Sequence, residues 1–290
     1  MKVVPNDDSA YHMDHPLGTV AFNYLLSGDD SETTENFRYV LGRQEGDFHM
    51  PRHRHSVEQI RLPIVGDMNL GEQGVLHQGE IGYFPEGVYY GPQDGPLGDP
   101  KQLQLVLQFG GASGLGMGMP ADAQKASAAR GGRQPGEQPM PRPRYADVIK
   151  FDPANYNYLP VAGQPGVERK FFGAFTERAL RIEWIAIAAG AQWVSTEDSR
   201  RFVVVLGGSG TIAGDRIGRL AAIQAEVGET LTVTAEQDLE LHVIAVPPVV
   251  LPAAPQQHDV VISRGAIQFE TPRDLRRAET IAASNAAARG

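Results

Sequence analysis

Short strand-like runs, many of them closed by glycine or proline, occur in one order in the first half of this chain and again in the second. Phe37 to Leu41, Ile60 to Val65, Ile81 to Phe84 and Leu103 to Gln108 come first. Leu180 to Ile185, Phe202 to Leu206, Thr230 to Val233 and Leu239 to Ile244 follow in the same order. Alternation with period two is the strand signal. A weak repeat displaced by roughly 140 residues points to two copies of one all-β unit. The 33 Gly and 21 Pro supply the turns that so many short strands need.

Within the first copy, Val20 to Leu26 and Val75 to Gln78 add strands. Lys101 to Phe109 alternates cleanly: Leu103, Leu105, Leu107 and Phe109 make one face, and Gln102, Gln104, Val106 and Gln108 the other. Such a glutamine row can line an interior, though more often it faces water. Pro63 removes a ladder donor, so its strand meets an edge or a bulge there. Residues 1–20 read as an irregular arm. Gly110 to Arg144 changes texture: a Gly-rich start, a short Ala-rich helix within 121–130, then a Pro/Gly-rich basic stretch, which together read as a linker. The tail carries a strand from Asp259 to Ser263 and a helix from Thr271 to Ala283. The expected architecture is all-β: two tandem jelly-roll barrels over 1–110 and 151–290, joined by a Gly/Pro-rich linker over 111–150 that carries the short helix.

A net charge of −9 argues against a nucleic-acid partner, because that affinity rests on Lys and Arg neutralising phosphates. The chain has no Cys, which excludes disulfides, thiolate catalysis and Cys-ligated zinc. The first residues have no apolar core of a signal peptide, and no stretch approaches the roughly 18 apolar residues of a membrane span. The expectation is a soluble, cytoplasmic protein without a membrane partner.

The chemistry concentrates between Gly46 and Tyr90. On a strand, His53 and His55 leave the same face, and Gln59 and Arg61 share their parity. Two imidazoles with a third polar group one step along suit a divalent metal ion. Glu58 falls on the opposite face unless a bulge shifts the register. Arg61 pointing inward is costly unless an anion pairs with it, so it holds a substrate carboxylate or follows a Pro63 bend to solvent. A buried tyrosine such as Tyr90 is more often a barrel aromatic with its hydroxyl satisfied than a ligand.

These residues resemble the two signature motifs of the cupin superfamily. Gly46, His53-Arg54-His55, Gln59 and Gly66 match the first motif, with one extra residue after Gly46 and Gln59 where the family has a glutamate. Gly79, Pro85, Gly87 and Tyr90 match the second, with Tyr90 where the family has a histidine. The resemblance implies a bicupin with a divalent metal held by His53, His55, Gln59 and Tyr90; iron, manganese, nickel, copper and zinc are not distinguished. It further implies a dioxygenase-type oxidoreductase acting on a small organic molecule in the first barrel, with Arg61 and Glu58 as the catalytic candidates that orient substrate or move a proton. A sugar or keto-acid isomerase and a non-catalytic small-ligand-binding bicupin are the alternatives. Family analogy also puts a homodimer through edge strands among the expectations. In the second half the matching places fall near Ser195, Glu197 and Arg201; no metal is expected there, and His242 reads as a satisfied core histidine.

Overall fold

In a computed structural model of the chain, residues 1–12, 17–28, 35–95, 102–114, 137–249, 258–262 and 267–289 are described. The helix expected within 121–130 lies outside them. The chain divides into two compact units, Met1–Asp8 with Asp152–Val250, and Ser9–Phe151 with Leu251–Gly290. Both are built from antiparallel strands, so the all-β expectation holds. The division differs from the expected 1–110 and 151–290 at both ends of the chain. Lys2–Val4, expected to be irregular, pairs with Ala222–Ala225 in the later unit. Residues 251–290, expected with the later barrel, join the earlier unit. Three-residue edge strands are too short to show a period, which is why alternation did not reveal them.

The later unit has a seven-stranded sheet in the order Lys2–Val4, Ala222–Ala225, Arg200–Gly207, Leu239–Val246, Leu180–Ile187, Val167–Phe175, Leu159–Pro160. A four-stranded sheet runs Gln192–Thr196, Thr230–Ala235, Ser209–Ile212, Asp215–Gly218. Its core draws Ile185, Val203 and Leu241 from the first sheet and Trp193, Ile212 and Val233 from the second. His242 lies on this frame as expected of a core histidine: Trp184 donates its Nε1–H to His242 Nδ1 at 3.0 Å. Burial pushes the His242 imidazole down to about 3. Unfolded histidine titrates near 6.5, so between these values the unfolded chain binds the extra proton and stability falls as pH falls. His242→Gln, which keeps an acceptor for Trp184, is expected to show a shallower loss of urea midpoint from pH 6.5 to pH 3 than the parent.

The places in this unit that match the histidine motif hold an ionic cluster. Arg201 is fully buried and donates from Nη1 to Ser195 O at 2.6 Å and to Ser195 Oγ at 3.0 Å. Glu197 accepts from Ser195 Oγ, from Ser199 Oγ and from Arg181.

The earlier unit is a sheet in the order Ile149–Phe151, Ile81–Phe84, Val57–Val65, Leu103–Gly110, Phe37–Met50, Gly18–Ser27. Val57–Val65 is flanked on both sides, and its ladder with Leu103–Gly110 slips at Pro63: Leu103 faces Val65 but Gln104 faces Pro63. The slip absorbs the missing proline donor in a bulge, as the sequence predicted. The strand expected over Phe37 to Leu41 continues to Met50. Ile267–Phe269 adds to His53–His55 as a short ladder of its own. The helix Pro272–Arg289 then starts from a reciprocal cap: Thr271 Oγ1 accepts from Asp274 N at 3.2 Å, and Asp274 Oδ2 accepts from Thr271 N at 3.2 Å. Its Ala278 packs with Leu17 and Met50. No described helix is long and apolar enough to cross a membrane.

Candidate functional site

His53 and His55 sit on one short strand that is hydrogen-bonded on both sides. Ile267–Phe269 flanks it on one side. On the other, His53 N donates to Tyr90 O at 3.1 Å, Tyr90 N to His53 O at 2.9 Å, and Gly87 N to His55 O at 2.8 Å. The Pro85-Glu86-Gly87 corner thereby fixes the histidine strand. Gly87 has φ +80°, and a Cβ there would lie 2.2 Å from Pro141 O. Gly87→Ala is therefore expected to destabilise the fold by about 3 kcal/mol, from the left-handed backbone and the overlap together, read as a lower urea midpoint by circular dichroism.

The two imidazole rings meet edge to face, with centroids 4.9 Å apart. Both are buried. Pro51 O accepts from His53 Nδ1 at 2.7 Å, so that nitrogen carries a proton and Nε2 is the one turned to other partners. His55 Nε2 is buried with no hydrogen-bond partner. Burial first, then the charges of His53 and Arg61, hold His55 well below the ordinary histidine value, so it is neutral at physiological pH.

Gln59 and Arg61 extend this face, as their parity predicted, and both are buried. Arg61 Nη2 donates to Gln59 Oε1 and to Tyr90 Oη, each at 2.8 Å. Gln108 Nε2 donates to the same Gln59 oxygen at 3.3 Å, and Gln59 Nε2 donates to Tyr90 Oη at 3.1 Å. The Arg61 guanidinium also lies over the rings of Phe84 and Tyr90, 4.7 Å and 5.2 Å from their centroids. Burial raises the Tyr90 phenol above its ordinary value against the opposing pull of Arg61 and Gln59. Tyr90 is thus a neutral phenol in a small core with Met68, Leu70, Leu76 and Phe84. Tyr89 stands outside this set and faces the Arg54 guanidinium, 4.8 Å from its ring centre.

His53, His55 and Arg61 open onto a cavity of about 220 Å³. Gln104 and Gln108 line it too, so the glutamine row faces inward; Ile267 reaches it from the tail. Among the described residues, no aspartate or glutamate is in its lining.

Glu58 is absent from that lining. Its side chain leaves the opposite face, fully buried, and Ala112 N donates to its Oε1 at 3.4 Å. Beside it Glu86 accepts from Ser113 N at 2.7 Å, Ser113 Oγ at 2.6 Å and Arg144 Nη1 at 2.6 Å. Strand alternation already placed Glu58 there; no bulge brings it round to the histidines. Sequence reasoning missed Glu86, Ile267 and the Arg61–Tyr90 contact, which depend on long-range packing.

As a metal centre this set fits in part. Two imidazoles on one buried face, that of His55 held neutral by burial, suit a divalent ion. The oxygens of Gln59 and Tyr90, expected to complete the ligand set, are instead engaged by a guanidinium. Among the described residues there is no group of three or more His, Asp or Glu placed to hold a metal.

Searches against family models and against curated proteins found no match. Solved structures do match. A putative dioxygenase from Nostoc punctiforme is 14% identical over 94% of this chain and 82% of its own, with a TM-score of 0.58. Oxalate decarboxylase from Bacillus subtilis is 13% identical over 91% and 89%, at 0.52. Quercetin 2,3-dioxygenase from Acinetobacter baumannii is 12% identical over 97% and 94%, at 0.51. At these identities the likeness is one of fold, and it extends over nearly the whole chain. Taken with the antiparallel sheets, it shows that this chain shares the β-fold of these three proteins, the fold that the resemblance of the histidine strand and the Pro85-x-Gly87 corner led one to expect.

Proposed function

We propose that the pocket of the earlier unit is the active site of a metal-dependent oxidoreductase of the dioxygenase type, acting on a small organic molecule. The observation that carries this reading is the His53–His55 pair: two buried imidazoles on one face, one with its Nδ1 proton held by Pro51 O and the other with an Nε2 that has no partner. Two solved structures of the same fold, both described as dioxygenases, support the class. His53 and His55 hold the metal, and Gln59 and Tyr90 position Arg61 beside them. A bound divalent ion supplies Lewis acidity and open positions for substrate and a small co-reactant. Arg61 orients substrate through its remaining N–H, and the apolar walls exclude water. Glu58 is left to the structural network on the other face.

One observation favours a second reading, a metal-free ligand-binding cupin: the two other family ligand positions are committed to Arg61. Elemental analysis after dialysis against each of iron, manganese, nickel, copper and zinc separates the two. The enzyme reading expects about one equivalent of one metal, and oxygen uptake in the presence of small organic acids. A chain that retains none of the five metals belongs to the second reading.

A further inference from the structure

Arg61 is a buried charge without a counter-ion. Its residue is 8% exposed. Its hydrogen bonds all run to neutral groups: the Gln59 oxygen, the Tyr90 hydroxyl and the Met68 thioether. Among the described residues no carboxylate pairs with it. An arginine keeps its proton in proteins, so the charge persists, and a buried charge is costly unless it is paired. Among the described residues, the lining of the cavity that Arg61 faces holds no acidic side chain to pair with it. Its Nη1 reaches only Met68 Sδ, at 3.7 Å, and a thioether is a weak acceptor. The guanidinium therefore retains donor capacity beside an empty volume, the arrangement that takes a carboxylate oxygen.

The rest of the lining narrows the ligand. Phe22, Phe48, Val106 and Ile267 give apolar walls. Gln104, also in the lining, has a buried Oε1 with no hydrogen-bond partner, an acceptor for a ligand hydroxyl. A volume of about 220 Å³ is below that of sites for drug-sized molecules. We infer that this cavity binds a compact organic carboxylate with an apolar body, and that Arg61 is its counter-ion. This rests on reading the pocket as a small-molecule site, but not on the metal.

The test uses the full chain stripped of metal with EDTA and desalted into low-chloride buffer, so that a failed metal reading cannot mimic failure here. Calorimetric titration compares benzoate, hexanoate and succinate with the uncharged amides of the same shape, and with inorganic phosphate. The expected result is that benzoate or hexanoate binds at least about tenfold tighter than its amide, and tighter than succinate or phosphate. Arg61→Met is expected to remove that preference, and Arg61→Lys to keep part of it. Equal binding of acid and amide by the parent overturns the proposal, and so does the absence of any carboxylate binding up to 10 mM. Phosphate binding as tightly as benzoate overturns the apolar half of it. The acid–amide comparison needs no variant and stands even if an Arg61 variant fails to fold.

Discussion

Replacing both His53 and His55 by alanine is expected to abolish stoichiometric metal binding and leave the fold in place. The two imidazoles are the nitrogen ligands that the described lining of the cavity offers; its other polar side chains are glutamines, Tyr24 and the Arg38 and Arg61 guanidiniums, and a cation repels a dication. The structural cost is modest by comparison. His53 loses its hydrogen bond to Pro51 O, and His55 loses none at Nε2. A net hydrogen bond contributes about 1 kcal/mol, against roughly 5–15 kcal/mol for a folded domain. Elemental analysis beside far-ultraviolet circular dichroism is the measurement. A folded double variant that retains the parent's metal would sink the histidine pair as the metal site.

The reach of the sequence follows the range of the interactions. Strand alternation is local: it put Gln59 on the histidine face and Glu58 on the opposite one, left Arg61 between the cavity and solvent, and offered an edge or a bulge at Pro63; in the structure Arg61 lines the cavity, Glu58 is buried on the other face, and the ladder slips at Pro63. It also set the glutamine face of Leu103–Gly110 apart from the leucine face, and the cavity decides that Gln104 and Gln108 point in. What alternation could not give was pairing between distant segments. Ile267–Phe269 lies more than 200 residues from the histidines whose strand it extends, and three residues show no period. The role of Tyr90 was legible only halfway. Its spacing put it at a ligand position, but the nearby guanidinium that takes its hydroxyl comes from a different strand. The glutamine at position 59, where the motif it resembles has a glutamate, has the same logic: a carboxylate next to Arg61 would pair with it, whereas the amide leaves the arginine's charge uncompensated.

Glu86→Ala is expected to be strongly destabilising for the earlier unit, at about 3–5 kcal/mol. Glu86 is 1% exposed and accepts from Ser113 N, Ser113 Oγ and Arg144 Nη1. Its removal leaves Ser113 and Arg144 without that acceptor. The Arg144 side chain is 23% exposed, and the water it reaches places the effect toward the lower end of the range. Glu86→Gln keeps the shape and an acceptor for Ser113 but gives up the charge, so it is expected to fall between parent and alanine variant. The choice of probe matters, because both tryptophans, Trp184 and Trp193, belong to the later unit. Tryptophan fluorescence reports that unit, whereas far-ultraviolet circular dichroism and hydrogen exchange over residues 81–90 report the unit that Glu86 holds. Exchange should accelerate there first, because Glu86 lies between Pro85 and Gly87 in the corner that hydrogen-bonds the histidine strand. Parent-like exchange over 81–90 in Glu86→Ala would show that the corner stands without the carboxylate. Accelerated exchange at the corner would tie the buried ion pair on one face of the sheet to the geometry of the imidazoles on the other.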